Sequence, residues 1–106
     1  MKNEIDSFKQ SMAVIETVCI YNTGQKTYIY QEGAESQFDF LLPMIENNCI
    51  ETVEFLYFNN NTGNFFICRN DQFISIFKLR KEVVFNKVLL EHKSSIFLST
   101  ITELPT

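Results

Sequence analysis

The chain has 106 residues, 45% of them hydrophobic and 14% aromatic, with only 3 Gly and 2 Pro. This length predicts one domain over residues 1–106, and the composition excludes disordered, collagen-like and linker-dominated chains. The formal net charge of −4 argues against a nucleic-acid binder, because neutralising phosphate groups requires a basic surface.

Hydrophobic spacing predicts eight elements in the order α-β-β-α-β-β-β-α. The predicted helices cover residues 3–11, 35–48 and the chain after residue 81, and the predicted strands cover residues 13–22, 27–31, 50–58, 65–69 and 73–80. The first two strands form a hairpin and the last three a meander. This order predicts an α+β fold, an α/β sandwich in which one five-stranded, mainly antiparallel sheet has helices on both faces.

Turn and cap residues set the boundaries of these elements. Asn22-Thr23-Gly24 predicts the turn of the first hairpin, because Asn and Gly tolerate positive φ. Pro43 lies inside the second helix, where the missing backbone donor predicts a kink or a late start. The asparagine-rich segment 59–64 predicts the turn after the long strand. The final helix is expected to begin near Val83, and the β-rich residues after Ser94 leave open whether the tail is helix or strand.

The predicted strands 13–22 and 50–58 are apolar on both faces. Such a sheet cannot leave one face in water, because each large exposed side chain forfeits about 1.5–3 kcal/mol of burial. Three modest helices offer limited cover, so a second subunit is the simplest further source. Strand 50–58 is the natural contact if it lies unpaired at an edge; a central position, satisfied within the monomer, is the alternative.

A hairpin turning at Asn22-Thr23-Gly24 and a helix ending near Asn48 precede a hydrophobic strand, a turn at Thr62-Gly63-Asn64 and the strand Phe65-Phe66-Ile67-Cys68. This order of elements, over most of the chain, resembles the Roadblock/LC7 family. The resemblance implies a five-stranded sheet with helices on both faces and dimerisation through the middle helix and the third strand. It also implies a non-catalytic scaffold or regulator of Ras-like GTPases or of dynein motors.

The same resemblance assigns, by position, the residues of a contact with a second copy or with a similar domain. These residues are Val53, Phe55 and Tyr57 on the third strand and Phe38, Leu42 and Ile45 on the middle helix. Two features depart from the family pattern. Pro43 interrupts the middle helix, and the polar corner 70–72 lacks a glycine.

Charge is distributed unevenly along the chain. The segment between Lys26 and Arg69 has no basic residue, and its acidic residues are Glu32, Glu35, Asp39, Glu46, Glu51 and Glu54. From Arg69 to Lys93 basic residues outnumber acidic ones. This asymmetry is typical of ordinary solvated faces, or of electrostatic complementarity between subunits or with a partner. It also permits a second function, a small acidic immunity or inhibitor protein that neutralises a basic toxin.

The cysteines and the lack of long apolar runs bear on the compartment. Cys19, Cys49 and Cys68 are odd in number and lie in apolar surroundings, which predicts buried thiols in a reducing compartment. No run approaches the ~18 apolar residues of a membrane span, and the chain opens with mixed charge. We therefore expect a soluble, cytoplasmic protein without a membrane span.

Few residues are suited to catalysis or to binding a cofactor. His92 is the only histidine, and no Cys/His pair has metal-ligand spacing. The chain has no glycine-rich phosphate loop and no nucleophile elbow, and Ser94 and Ser95 are expected to cap the helix or contact solvent. We predict no enzyme, no cofactor and no metal. A ligand-sensing profilin-like or PAS-like domain would need an interior pocket, which nothing in the sequence marks.

Overall fold

The computed structural model describes residues 1–33, 43, 54–61 and 63–104. In chain order the elements are α1 (Lys2–Ser11), β1 (Ile15–Asn22), β2 (Thr27–Gln31), β3 (Phe55–Asn60), β4 (Gly63–Arg69), β5 (Phe73–Leu79) and α2 (Lys87–Glu103). The five strands form one sheet in which every described pair is antiparallel, as predicted. The predicted middle helix, 35–48, lies outside the described residues except for Pro43, which is helical and exposed.

The strand order across the sheet is β2-β1-β5-β4-β3. The β1–β2 hairpin and the β3–β4–β5 meander join where β1 pairs with β5, and this pairing brings the two halves of the chain together. β2 and β3 therefore lie at the two edges. Of the two positions considered for the long aromatic strand, central or edge, the structure gives the edge.

The face of the sheet toward α1 and α2 contains the larger core. Its buried residues are Ile5, Phe8, Met12, Val14, Ile15, Val18, Ile20, Phe66, Cys68, Phe73, Phe77, Leu79, Leu90, Phe97, Leu98 and Ile101. Phe8 stacks on Phe97 with ring centroids 4.5 Å apart, and Phe77 contacts both rings at 5.4 and 6.0 Å. Such aromatic contacts add about 0.5–1.5 kcal/mol each beyond the burial of area. They hold both helices against the centre of the sheet.

The opposite face carries a second cluster, here called the far-side cluster. Its members are Cys19, Tyr21, Phe65, Ile67, Ile74 and Ile76. Both faces are thus apolar, as the alternation in the sequence predicted. These six side chains are buried within a single chain, however, so a second subunit is not needed to cover them. Neither α1 nor α2 contributes a residue to the far-side cluster.

Several boundaries differ from the predicted ones. α2 begins at Lys87 instead of near Val83, because Asn86 caps it: the Asn86 side chain accepts a hydrogen bond from the Leu89 backbone N–H at 3.0 Å. The residues after Ser94 continue as helix to Glu103, which answers the question of the tail. β3 begins only after a bend at Glu54 and ends two residues later than predicted.

The turns use asparagine side chains as backbone acceptors. In the first hairpin, Asn22 Oδ1 accepts from the Gln25 backbone N–H at 3.0 Å, and positive φ falls on Lys26 instead of on Gly24. Between β4 and β5, Asn70 Oδ1 accepts from the N–H groups of Gln72 and Phe73 at 2.9 and 2.8 Å. These Asx-type turns replace the glycine that was expected in the corner 70–72.

Candidate interface at the β3 edge

The backbone of β3 alternates between groups that face β4 and groups that face away. Arg69 N–H donates to the Glu54 carbonyl at 3.1 Å, and Asn60 pairs with Gly63. Because hydrogen-bonded and open positions alternate in an antiparallel pair, the backbone groups of Phe55, Tyr57 and Asn59 point away from β4. Their N–H and C=O groups form a row along the edge, which is a template for another strand.

The side chains of Phe55 and Tyr57 lie on the helix side of the sheet and are half-buried. Their rings contact Phe66 at centroid distances of 5.9 and 4.8 Å. The Tyr57 hydroxyl donates to the Lys87 carbonyl at 3.5 Å, and Lys87 Nζ lies 5.0 Å from the centre of the ring. Burial raises the pKa of Tyr57 to about 12, and the nearby Glu91 carboxylate adds to this shift. Tyr57 therefore anchors the edge strand to the start of α2.

Leu56 and Phe58 occupy the other face of β3, where they pack against the far-side cluster. They are half-buried and adjoin the same edge, but they were not among the predicted contact residues. The alternation in the sequence separated Leu56 and Phe58 from Phe55 and Tyr57, yet it could not say which set faces the helices. Of the other predicted contact residues, Val53, Phe38, Leu42 and Ile45 lie outside the described residues.

The predicted acidic residues that the structure describes do not share one surface. Glu32 follows β2 and is engaged within the chain: its carboxylate accepts from Lys9 Nζ at 2.7 Å and from the Val18 N–H at 3.1 Å. Glu54 is exposed at the start of β3, on the opposite edge of the sheet. The remaining four, Glu35, Asp39, Glu46 and Glu51, lie outside the described residues.

Basic residues gather at the end of the sheet where β3 stops and β5 ends. Arg80 and Lys81 line a cleft of about 250 Å³ that is also lined by Tyr57, Asn59 and Asn64. Both basic residues are exposed, and Arg80 Nε donates to the Ala13 carbonyl at 3.1 Å. We call Arg80 and Lys81 the basic corner.

Further charges surround the basic corner. Lys78 lies beside it, with its Nζ 3.8 Å from a Glu16 carboxylate oxygen, and Glu82 follows Lys81. Among the described residues at this end of the sheet, the cations Lys78, Arg80 and Lys81 outnumber the carboxylates of Glu16 and Glu82. The local charge balance is therefore positive.

The helical layer offers a separate groove of about 490 Å³ between α1 and α2. Phe8 and Phe97 line it, Ile96 is 54% exposed beside it, and several hydroxyl side chains complete its surface. One of these hydroxyls, that of Ser11, donates to the Phe8 carbonyl at 2.9 Å. The Ser11 hydroxyl therefore pairs with a backbone carbonyl in the last turn of α1, and the groove offers mainly apolar surface.

The residues considered for chemistry are separated in the structure. Cys19 and Cys68 are buried, and burial raises the pKa of each thiol to about 12, so neither is a thiolate near neutral pH. His92 is exposed on α2, and Ser94 is fully buried, against the expectation that it would cap the helix or meet solvent. Cys49 lies outside the described residues.

Neither a metal cluster nor a membrane-spanning helix is found in the part of the chain that the structure describes. No three His, Cys, Asp or Glu side chains there are grouped so that they could hold a metal ion. Neither α1 nor α2 is long and apolar enough to cross a membrane. No protein-family model and no curated protein matches the chain.

Proposed function

We propose that this chain is a non-catalytic dimerisation and scaffold module whose β3 edge pairs with a second copy or with a similar domain. The observation that carries the proposal is the row of outward backbone groups at Phe55, Tyr57 and Asn59. A strand edge of this kind is a liability unless it is covered, because any other extended chain can pair with it.

The two edges of the sheet differ in how they are protected. At the β2 edge the pairing with β1 shifts register between Ile20 and Tyr21, and the strand is followed by the Lys9–Glu32 ion pair. Bulges and charges are the usual means by which an edge avoids pairing. β3 is paired to β4 in unbroken register over Phe55–Asn60 and contains no charged residue and no proline. Of the two edges, β3 is therefore the better suited to a partner.

The energetics require side chains as well as backbone. Pairing β3 with β3 of a second copy about Tyr57 would form two backbone hydrogen bonds for each of three facing pairs, each bond contributing about 0.5–1.5 kcal/mol. Their sum, about 3–9 kcal/mol, is no larger than the cost of association, which is about 4–15 kcal/mol. Burial of the half-exposed parts of Phe55, Leu56 and Phe58 must supply the remainder.

The partner class rests on the resemblance to Roadblock/LC7 proteins. A dimer of this kind would present a surface made by two subunits to a Ras-like GTPase or to a motor or other complex. Co-purification of the tagged chain from its own cells, followed by mass spectrometry, tests this part. We expect a GTPase or a motor subunit, and a basic nuclease as the dominant partner would contradict it.

A proline substitution tests the edge directly. Asn59 has an exposed side chain and an outward N–H, so Asn59→Pro removes a donor from the edge and leaves the β3–β4 hydrogen bonds in place. Asn59→Ala is the matched control, because it removes the same side chain and keeps the N–H. In sedimentation velocity we expect a dimer for the wild type and for Asn59→Ala, and a monomer for Asn59→Pro. Equal dimerisation of both variants would refute pairing at this edge.

The alternative of an acidic immunity protein receives less support from the structure. It requires an acidic surface that is exposed and continuous. Glu32 is already paired with Lys9, and Glu54 lies on the other edge of the sheet. The described members of the acidic segment thus do not form the surface that this function needs.

A further inference from the structure

The direction of β3 determines which charges of two paired copies meet. In an antiparallel pair centred on Tyr57, Phe55 of one copy lies opposite Asn59 of the other, because this register joins all three outward residues. The start of each β3 is then beside the end of its partner. Glu54 immediately precedes Phe55, and the basic corner lines the same cleft as Asn59.

We propose that Glu54 of each copy pairs with the basic corner, Arg80 and Lys81, of the other copy. This inference rests on the proposed function, and it names the partner as a second copy of this chain and fixes the register. By symmetry the contact occurs twice. It gives a structural place to the uneven charge of the sequence, since Glu54 belongs to the acidic segment and the corner to the basic one.

The charges around the contact favour this pairing. Lys78 is close to Glu16, and Arg80 Nε is held by the carbonyl of Ala13, which precedes β1 on the side of β5 away from β3. The exposed Lys81 ammonium is therefore the main cation of the basic corner for a carboxylate of the other copy, and Arg80 adds to the positive charge around it. A shifted register would move Glu54 away from the corner and leave outward backbone groups unpaired. Exposed ion pairs contribute little affinity, so the contact acts mainly on register and on the choice of partner.

Charge exchange tests the proposal without relying on one variant. Glu54→Lys alone should place the introduced ammonium group against the cations of the other copy's basic corner. Arg80→Glu combined with Lys81→Glu should instead gather carboxylates around Glu54. At low ionic strength we expect each of these two variants to dimerise roughly tenfold more weakly than the wild type or worse. A mixture of the two variants should form mixed dimers that are more stable than the dimers of either variant alone. In the mixed dimer, one contact joins the introduced ammonium group to the introduced carboxylates, and the other is the native contact between Glu54 and the basic corner.

Controls separate this effect from changes within one chain. Arg69 lies opposite Glu54 in the β3–β4 pair, so Glu54→Lys also alters its own chain; recovery on mixing excludes that cause. On exposed residues of α1, Asp6→Lys makes the same charge change as Glu54→Lys, and Lys2→Glu makes a change of the same sign as each substitution in the basic corner; both should leave dimerisation unchanged. Circular dichroism confirms that each variant is folded.

The outcomes distinguish this inference from the proposed function. Recovery on mixing, lost at high salt, supports the charged contact. If all charge variants dimerise as tightly as the wild type and Asn59→Pro is monomeric, the charged contact is overturned and pairing at the edge stands. A monomeric wild type would overturn both.

Discussion

Substitution of Gly63 by Ala tests the hairpin that sets the register of β3. Gly63 begins β4 with a φ of +154°, and it pairs with the last residue of β3, Asn60. This backbone conformation is nearly confined to glycine, and other residues forced into such regions cost on the order of 1–3 kcal/mol. A Cβ at this position would also lie 3.1 Å from Lys78 Cε. The Lys78 contact is the smaller effect, because the end of a lysine side chain can move.

Urea unfolding measures the cost of Gly63→Ala. With a slope of about 1–3 kcal/mol per M, a loss of this size lowers the midpoint by roughly 0.3–3 M. Gly24→Ala is the matched control: its Cβ would meet only Asn22 Oδ1 at 3.5 Å, an ordinary contact, so its stability should change little or rise slightly. Lys78→Ala in the Gly63→Ala background should not restore stability. If Gly63→Ala unfolds at the same midpoint as the wild type, or if Lys78→Ala restores it, the assignment of the cost to the backbone is wrong.

Two further predictions concern the corner at Asn70 and the buried thiols. Asn70→Ala removes the acceptor for two backbone N–H groups and the 2.8 Å hydrogen bond from Asn70 Nδ2 to Thr102. We therefore expect the free energy of unfolding, measured with heat or urea, to fall by about 1–3 kcal/mol. Asn64→Ala, at an exposed position of β4, is the control and should lower it much less. For Cys19 and Cys68 the folded pKa of about 12 exceeds the ordinary value of 9.0, so their contribution to stability is complete below pH 9 and is lost as the pH rises toward 12. Cys19→Ser with Cys68→Ala should flatten that alkaline decline, and rapid reaction of both thiols with a thiol reagent in the folded protein at pH 8 would contradict the account.

The sheet could be predicted from sequence because its strands alternate strongly. Val18 and Ile20 alternate with Cys19 and Tyr21 in β1, and this pattern has a period of two whichever face is buried. The boundaries at the turns were less predictable. They depend on side-chain acceptors such as those of Asn70 and Asn86, and nothing in the sequence distinguishes these from the asparagines of the 59–64 turn.

The candidate interface was predictable only in part. Its strand was chosen correctly as a possible edge, but edge position depends on the β1–β5 pairing, which joins residues as far apart as Ile15 and Leu79 and has no local signal. Alternation alone also could not settle the choice of Phe55 and Tyr57 over Leu56 and Phe58. The sequence predicted that part of the apolar sheet surface would need a second subunit to shield it from water. The side chains of the far-side cluster do not need one, because they are already buried within one chain.

Amide hydrogen exchange at the β3 edge tests the central claim most directly. Among the described residues, the outward N–H groups of Phe55, Tyr57 and Asn59 face no neighbouring strand, whereas Ile76 lies in the central strand β5 and serves as an internal reference. We predict that protection of the three edge amides rises with protein concentration while that of Ile76 stays constant. Exchange of all three at the rate of exposed amides, at every concentration up to the millimolar range, would contradict pairing at this edge.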